Sequence, residues 1–378
     1  MPRRHCMMRL MPCMPSPPKN KIQKGRVACN APVFHEVVMM IRYPKYFTQF
    51  SCIAAACPDS CCKEWEVAID EASAAYYQSL PGQLGDRLRQ VIRQEDGLHL
   101  MTIENGRCPM WRQDGLCAIQ AQYGHEALCR TCRDFPRLQH EYEGFTERDL
   151  ELSCPEAAKL IFFGDASDIT EGTAEPTQDA LLDILLRSRQ TALGFLENAP
   201  YSLPQKLTVL LLYTHSVQAW IDGGEEPQLD PNKALRDAQA FAGDGDITPM
   251  IEYYVNLEIL TDRWIQRLNA PAPHKQWDKK LVQFMTYGIR RYWLQAVSDY
   301  DLLCRVKFLI SACLLLHHLG GDTVETAQLW SKEIENNQDN VEALWDAAYT
   351  HPAFTDLNLL HLLTEIHYSD HNHKNPSF

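Results

Sequence analysis

The chain has no excess of basic residues: 36 Lys and Arg face 49 Asp and Glu, giving a formal net charge of −13. A general nucleic-acid binder needs a basic surface to displace counterions from phosphates, so no nucleic-acid partner is expected. No run of about eighteen uninterrupted apolar residues occurs, and the N-terminus lacks the apolar core of a secretory signal. No membrane span is therefore expected, and the chain should stay in the cytoplasm, where thiols remain reduced. Neither a G-x-G-x-x-G turn nor a G-x-x-x-x-G-K-[ST] phosphate loop is found, which leaves the common cofactor folds unsupported. No repeat of fixed period is seen.

What the sequence does have is length, apolar content and cysteine. With 378 residues, 45% hydrophobic and 22% charged, it can bury a sizeable core and hold two domains. Of its 14 cysteines, nine fall in one stretch: Cys52-x4-Cys57-x3-Cys61-Cys62, then Cys108-x8-Cys117, Cys129-x2-Cys132 and Cys154. Thiols this close together can form disulfides or bind a soft metal, and the compartment decides between them. Adjacent Cys61 and Cys62 cannot easily bond to each other, and nine is an odd number, so a complete disulfide framework fits poorly. A metal or iron–sulfur site fits better, because thiolate sulfur matches iron and zinc. Cys108-Pro109 and Cys154-Pro155 resemble the Cys-Pro ending of ferredoxin ligand runs. Cys129-x2-Cys132 could also be a redox dithiol, but a helix is expected before it where such a site needs a strand.

The cysteines sit within consecutive blocks: Phe50-Ser51-Cys52, Cys57-Pro58-Asp59-Ser60-Cys61-Cys62-Lys63-Glu64-Trp65, and Arg107-Cys108-Pro109-Met110. These are followed by Asp114-Gly115-Leu116-Cys117-Ala118-Ile119-Gln120, Thr131-Cys132-Arg133-Asp134-Phe135-Pro136-Arg137 and Leu152-Ser153-Cys154-Pro155-Glu156. In this order and spacing the blocks resemble the bacterial flagellin lysine-N-methylase family, from about Tyr43 to Phe163. Cys52, Cys57, Cys61, Cys62, Cys108, Cys117, Cys132 and Cys154 carry the match, while Cys129 stands outside it.

The resemblance implies transfer of methyl groups from S-adenosylmethionine to lysine ε-amines on flagellin. It also implies that part of the cysteine set holds an iron–sulfur cluster, with [4Fe–4S] preferred and zinc as the alternative. Eight thiols exceed the four that one such centre needs, so one cluster with spare thiols is expected. A Cys-x3-Cys-x2-Cys triplet, which leaves one iron open in radical S-adenosylmethionine enzymes, is absent because Glu64 stands at the third position. Arg133 and Arg137 flank the knuckle and are candidates to neutralise a cofactor or clamp a carboxylate. No catalytic base is identifiable. The competing reading is a non-catalytic, zinc- or iron-chelating interaction module.

The expected fold is mainly α, with a cysteine-rich N-terminal region of short strands and loops followed by an all-α bundle. Residues 1–40, basic and rich in proline, read as a disordered leader, with the natural beginning expected near Met39-Met40-Ile41-Arg42-Tyr43-Pro44. The cysteine region occupies 41–164 and the helical domain 165–378. Strands are expected at 65–69 and 98–103, and helices at 70–80, 84–92 and 117–128. Beyond Gly164 only helices are expected, at 181–193, 207–217, 249–269, 277–297, 301–319, 324–336, 341–349 and 355–368. Cys304 and Cys313 read as core residues, His317 and His318 as one packed and one exposed, and His367-x3-His371-x-His373 as a polar tail.

Only the cysteines within the matched blocks are expected to be ligands. Cys61→Ser or Cys62→Ser should therefore abolish metal loading, and Cys304→Ser should leave it intact. Metal analysis of anaerobically purified variants checks this, and equal loss in all three would overturn the division.

Overall fold

The computed structural model describes residues 7–8, 40–95, 97–173, 177–274 and 276–372, with side chains described from 40 to 364. The expected leader therefore lies almost wholly outside the described residues, and His367, His371 and His373 lie outside the described side chains.

The fold is mainly α, with its strands in the N-terminal half. The strands are β1 (Met7–Met8), β2 (Met40–Pro44), β3 (Glu66–Ile69), β4 (Ile92–Glu95), β5 (Leu98–Met101), β6 (Arg137–Tyr142), β7 (Phe145–Leu150) and β8 (Asp168–Glu171). They form two four-stranded sheets, ordered β1-β3-β5-β4 and β6-β7-β2-β8. In the second sheet, β2 runs parallel to β7 and antiparallel to β8, so Arg42 has Glu147 beside it on one side and Thr170 on the other. Hairpin β6–β7 closes through Glu143-Gly144, where Gly144 takes the positive φ of 82° that tight hairpins favour.

The helices are α1 (Glu71–Ser79), α2 (Gly82–Val91), α3 (Ala118–Tyr123), α4 (Arg130–Asp134), α5 (Pro155–Phe163), α6 (Ala180–Asn198), α7 (Leu203–Ile221) and α8 (Pro231–Gln239). They continue with α9 (Thr248–Asn256), α10 (Asp262–Asn269), α11 (Lys280–Tyr292), α12 (Leu302–Leu319), α13 (Thr323–Trp330), α14 (Gln338–Thr350) and α15 (Asp356–Asn372). Most of the expected elements form, and their ends have physical causes. Asp70 caps α1 by accepting the Ser73 N–H at 3.0 Å. Ser202 and Gln205 make a capping box at the start of α7.

Several expectations need correction. The helix expected over 117–128 stops at Tyr123, because Gly124 adopts a φ of 85° that terminates it. The helix expected over 249–269 is two helices. Between them, the Glu258 N–H bonds to Asn340 Oδ1 at 3.1 Å and the Leu260 N–H to Glu333 Oε2 at 2.7 Å, so these donors leave the helical ladder. Strand β8 lies beyond Gly164, where only helices were expected, and pairs with β2. Helix α11 ends at Tyr292 and gives way to a 3₁₀ turn, Trp293–Ser298. The segment after α13 is a widened π turn, Ser331–Glu335.

Two apolar cores are present. The smaller lies within Trp65–Cys129, around Trp65, Val67, Tyr77, Leu88 and Met110. The larger crosses residue 164, joining Met40, Tyr46, Phe50, Leu150 and Ile161 to the helices as far as Leu363. Helix α12 lies at its centre. By length and composition α12 could cross a membrane, a feature that a search for uninterrupted apolar runs misses because Arg305 and Lys307 break the run; 94% of it is buried within the protein. Cys304 and Cys313 are buried on it, and His317 is buried while His318 is only partly covered.

Helices α11 and α12 pack closely at Gly288, where an added Cβ would sit 2.3 Å from Leu309 Cδ2. Gly288→Ala should therefore destabilise the protein by about 1–3 kcal/mol through overpacking. Chemical denaturation checks this, and an unchanged midpoint would show that Leu309 has room to turn away.

Candidate functional site

The thiol site is built from loops held by backbone bonds. The Cys108 N–H donates to Cys62 O at 2.8 Å, the Trp111 N–H to Cys108 O at 3.0 Å and the Ala118 N–H to Met110 O at 2.8 Å. These bonds draw the Cys57–Cys62 and Cys108–Cys117 segments together. Trp65 adds a side-chain bond from Nε1 to Cys61 O at 2.9 Å. The knuckle is tied down separately: the Arg130 N–H reaches Asp70 Oδ2 at 2.9 Å, and Thr131 Oγ1 donates to Ala68 O at 2.8 Å.

All eleven described cysteines are free thiols. Those of the expected set influence one another electrostatically. Cys61 is pushed well up by its hydrogen bond with Cys62 and by burial. Burial pushes Cys108 up to about 12, with Cys117, Cys129 and Cys61 adding to the effect. Cys154 is likewise pushed up to about 12 by burial, with Cys57 and Cys61 contributing. Cys52 and Cys61 both act on Cys57. The Cys129–Cys132 pair divides: Cys129 is lowered by its hydrogen bond with Cys132, and Cys132 is raised by that same bond and by burial. Cys129, outside the matched set, therefore belongs to the same thiol neighbourhood. The donor chemistry suits a soft metal, and the thiols that bond one another do so in two pairs, Cys61–Cys62 and Cys129–Cys132. Among the described residues no group of three or more His, Cys, Asp or Glu converges to hold a metal ion.

Arg133 faces Asp134 at 3.5 Å, and Arg137 lies over the Phe50 ring at 5.0 Å from its centroid. The cation reaching the thiol loop from the helices is Lys332, which sequence reasoning did not single out. It is 2% exposed and lies 2.9 Å from Asp59 and 2.7 Å from Glu64, with its ammonium 4.9 Å from the Trp65 ring centroid. Gln328, one turn earlier, donates to Ser153 O at 2.6 Å. A lysine flanked by the apolar Leu329-Trp330 and Ile334 was the available signal: a buried charge needs a partner.

A second chemical centre lies between the β6-β7-β2-β8 sheet and helices α6 and α11. A cavity of about 590 Å³ opens there, within the range of small-molecule sites. Arg42, His140, Glu147, Asp168, Arg189 and Arg290 are among its lining residues. Arg189 clasps Glu147 with both arms, one at 2.7 Å, and Arg290 pairs with Asp168. Burial pushes Asp149 up to about 6 despite the Tyr46 hydroxyl at 2.7 Å, and burial holds His140 down at about 4, so the imidazole is neutral at pH 7. Arg291, also on the cavity wall, lies between Glu151 at 3.7 Å and Glu335 at 3.5 Å and donates to Tyr287 at 2.7 Å. Burial raises Glu151 to about 7, with Glu335 adding to the rise and Arg291 opposing it. The cavity's lining residues come from five separate stretches of chain. The sequence signal was the set of arginines on otherwise apolar elements, Arg42, Arg189, Arg290 and Arg291.

The chain is similar to lysine-N-methylases. It is 31% identical to that of Salmonella typhimurium over 138 residues and likewise to that of Salmonella choleraesuis, in each case over 34% of this chain and 34% of the relative. The chain thus matches about a third of the length of these relatives. It is also 29% identical over 160 residues to the flagellar biosynthetic protein FliU of Salmonella muenchen, covering 40% of this chain and 95% of that protein. The resemblance to the flagellin lysine-N-methylase family is therefore found again in curated proteins, over about a third of the chain or slightly more. No protein-family model matches the chain, and no solved structure matches it.

Lys332→Met would leave Asp59 and Glu64 facing an apolar side chain. The expected cost is about 2–4 kcal/mol, below the full value for a buried pair because Glu64 is 34% exposed. Lys332→Met combined with Asp59→Asn should cost less than the sum of the two single changes in a denaturation cycle. Strict additivity would show that the ion pair does not act as a unit.

Proposed function

We propose that the chain is a protein-lysine N-methyltransferase, with S-adenosylmethionine as methyl donor and flagellin as substrate. The observation that carries this reading is the similarity to lysine-N-methylases and to FliU at about 30% identity. We further propose that the thiol region holds a soft-metal centre, an iron–sulfur cluster in preference to zinc, in the reducing cytoplasm. Free thiols on Cys52, Cys57, Cys61, Cys62, Cys108, Cys117, Cys132 and Cys154 support it. Rotation of these side chains out of their pairs would be needed for three or four sulfurs to meet. Such a centre would supply soft-ligand binding and loop rigidity at the junction with Lys332, and no step of the transfer is assigned to it.

The transfer itself balances simply. The substrate ammonium first loses a proton to solvent or a base. Its nitrogen lone pair then forms the N–C bond as the methyl C–S bond breaks, and that bond's electrons remain on sulfur as a neutral thioether. The positive charge passes from sulfonium to the methylated amine. Partial burial of the target lysine beside cationic side chains would ease the first deprotonation.

The test is incubation of metal-reconstituted protein with radiolabelled S-adenosylmethionine and flagellin, read as label on lysine. Label on flagellin lysines is the expected result. No label, from protein that has taken up its metal, would favour the non-catalytic chelating module.

A further inference from the structure

Arg42 is a half-buried guanidinium on β2 that lines the sheet–helix cavity and has no salt bridge among the described residues. Of the other lining arginines, Arg189 is clasped to Glu147, Arg290 is held by Asp168, Arg187 pairs with Glu226, and Arg148 donates from Nε to Gln139 Oε1 at 3.0 Å. Arg42 rests over the Phe145 ring at 4.6 Å from its centroid, which fixes the guanidinium plane without using its N–H donors. Burial strips water from this cation and lowers its pKa, an effect that Glu147 only partly offsets.

Two further polar atoms on the cavity wall point the same way. Arg290 Nε and His140 Nε2 are both buried and lack a hydrogen-bond partner. An unmet buried donor costs about 1–3 kcal/mol, so two such atoms beside the half-buried Arg42 describe the outline of a missing acceptor. Neutral His140 can donate from Nε2 as one tautomer, which would give the acceptor a third N–H.

The acceptor's charge can be deduced from the lining. Arg187, Arg189 and Arg290 are neutralised by their own carboxylates and Arg148 spends its Nε on Gln139 Oε1 at 3.0 Å, so Arg42 provides the fork that lies with the unmet Arg290 Nε and His140 Nε2, which suits a planar group. A phosphate dianion would place its second charge beside Glu147 and Asp168. A carboxylate avoids that cost and matches the fork in shape.

We infer that the cavity between the β6-β7-β2-β8 sheet and helices α6 and α11 binds a small molecule through its carboxylate, with Arg42 as the anchoring residue. The inference stands apart from the methylase reading, because the carboxylate has two possible sources. It is either the amino-acid end of S-adenosylmethionine or a free organic acid.

Isothermal titration of the full chain with S-adenosylmethionine, succinate and inorganic phosphate separates the cases. Expected is binding of at least one carboxylate ligand, weakened roughly tenfold or more by Arg42→Gln, with Arg42→Lys intermediate because it keeps the charge and loses the fork. The exposed Arg263→Ala should leave binding unchanged. Binding of S-adenosylmethionine alone assigns the source to the methyl donor, and binding of succinate as well assigns it to carboxylates generally; both support the site. A second measurement needs no variant: bound carboxylate should protect Arg42 from phenylglyoxal, read by mass spectrometry on the wild-type protein. Four results would overturn the inference: no binding of either carboxylate ligand, binding insensitive to Arg42→Gln, Arg42 modified equally with and without ligand, or phosphate binding in preference to both carboxylates.

Discussion

Five consecutive residues, Ser331 to Glu335, are buried in one widened turn, and three of them carry charge. Each charge is satisfied by a different part of the chain. Lys332 reaches Asp59 and Glu64 in the thiol loop, Glu333 accepts from the Leu260 N–H and from the Thr261 hydroxyl, and Glu335 accepts from Tyr292 at 2.8 Å and faces Arg291. An ordinary helical turn spaces successive side chains by a fixed rotation, whereas a π turn widens the ring and changes the directions in which they leave. Burying three charges at this density is costly unless each finds its partner. The thiol loop, the α9–α10 break and the end of helix α11 beside the cavity are therefore all positioned with respect to this one turn. Burial pushes Glu333 up to about 7 even with its two donors, which shows how little water is left there.

The same constraint explains which features were legible in the sequence. Helix α12 and the thiol motifs were, because apolar spacing and cysteine spacing are local signals. So was the Asp70 cap, a carboxylate three residues before the N–H it accepts. The split between α9 and α10 was not, because it depends on Asn340 and Glu333 taking N–H groups from a segment some eighty residues earlier in the chain. Hairpin β6–β7 was hidden for another reason: Arg137-Leu138-Gln139-His140-Glu141-Tyr142 alternates, but its inward face includes His140, which a hydropathy reading counts as polar.

Of the two chemical centres, only the thiol site has a sequence motif. Its members lie within about a hundred residues of one another, in short loops whose spacing can be read directly. The cavity is assembled from β2, the β6–β7 hairpin, β8, α6 and α11, and its arginines are intelligible only once the carboxylates opposite them are known. Arg189 and Glu147 are 42 residues apart, and Arg290 and Asp168 are 122 apart, so each alone reads as ordinary surface charge.

The two centres share a frame. Strand β6 begins shortly after Cys132, with Arg137 stacked on Phe50 near Cys52, and continues to His140 in the cavity. Glu151, facing Arg291, accepts the Cys154 N–H on its backbone carbonyl at 3.3 Å. Cys154 then opens α5, whose apolar face enters the larger core. The thiol region and the cavity are thus joined in two ways, covalently along β6 and by the ion pair of Glu151 with Arg291. Strand β6 is held in register by its pairing with β7, and both Glu151 and Arg291 are buried. No thiol lines the cavity, so β6 and the Glu151–Arg291 pair are the contacts through which the close-packed interior joins the two centres.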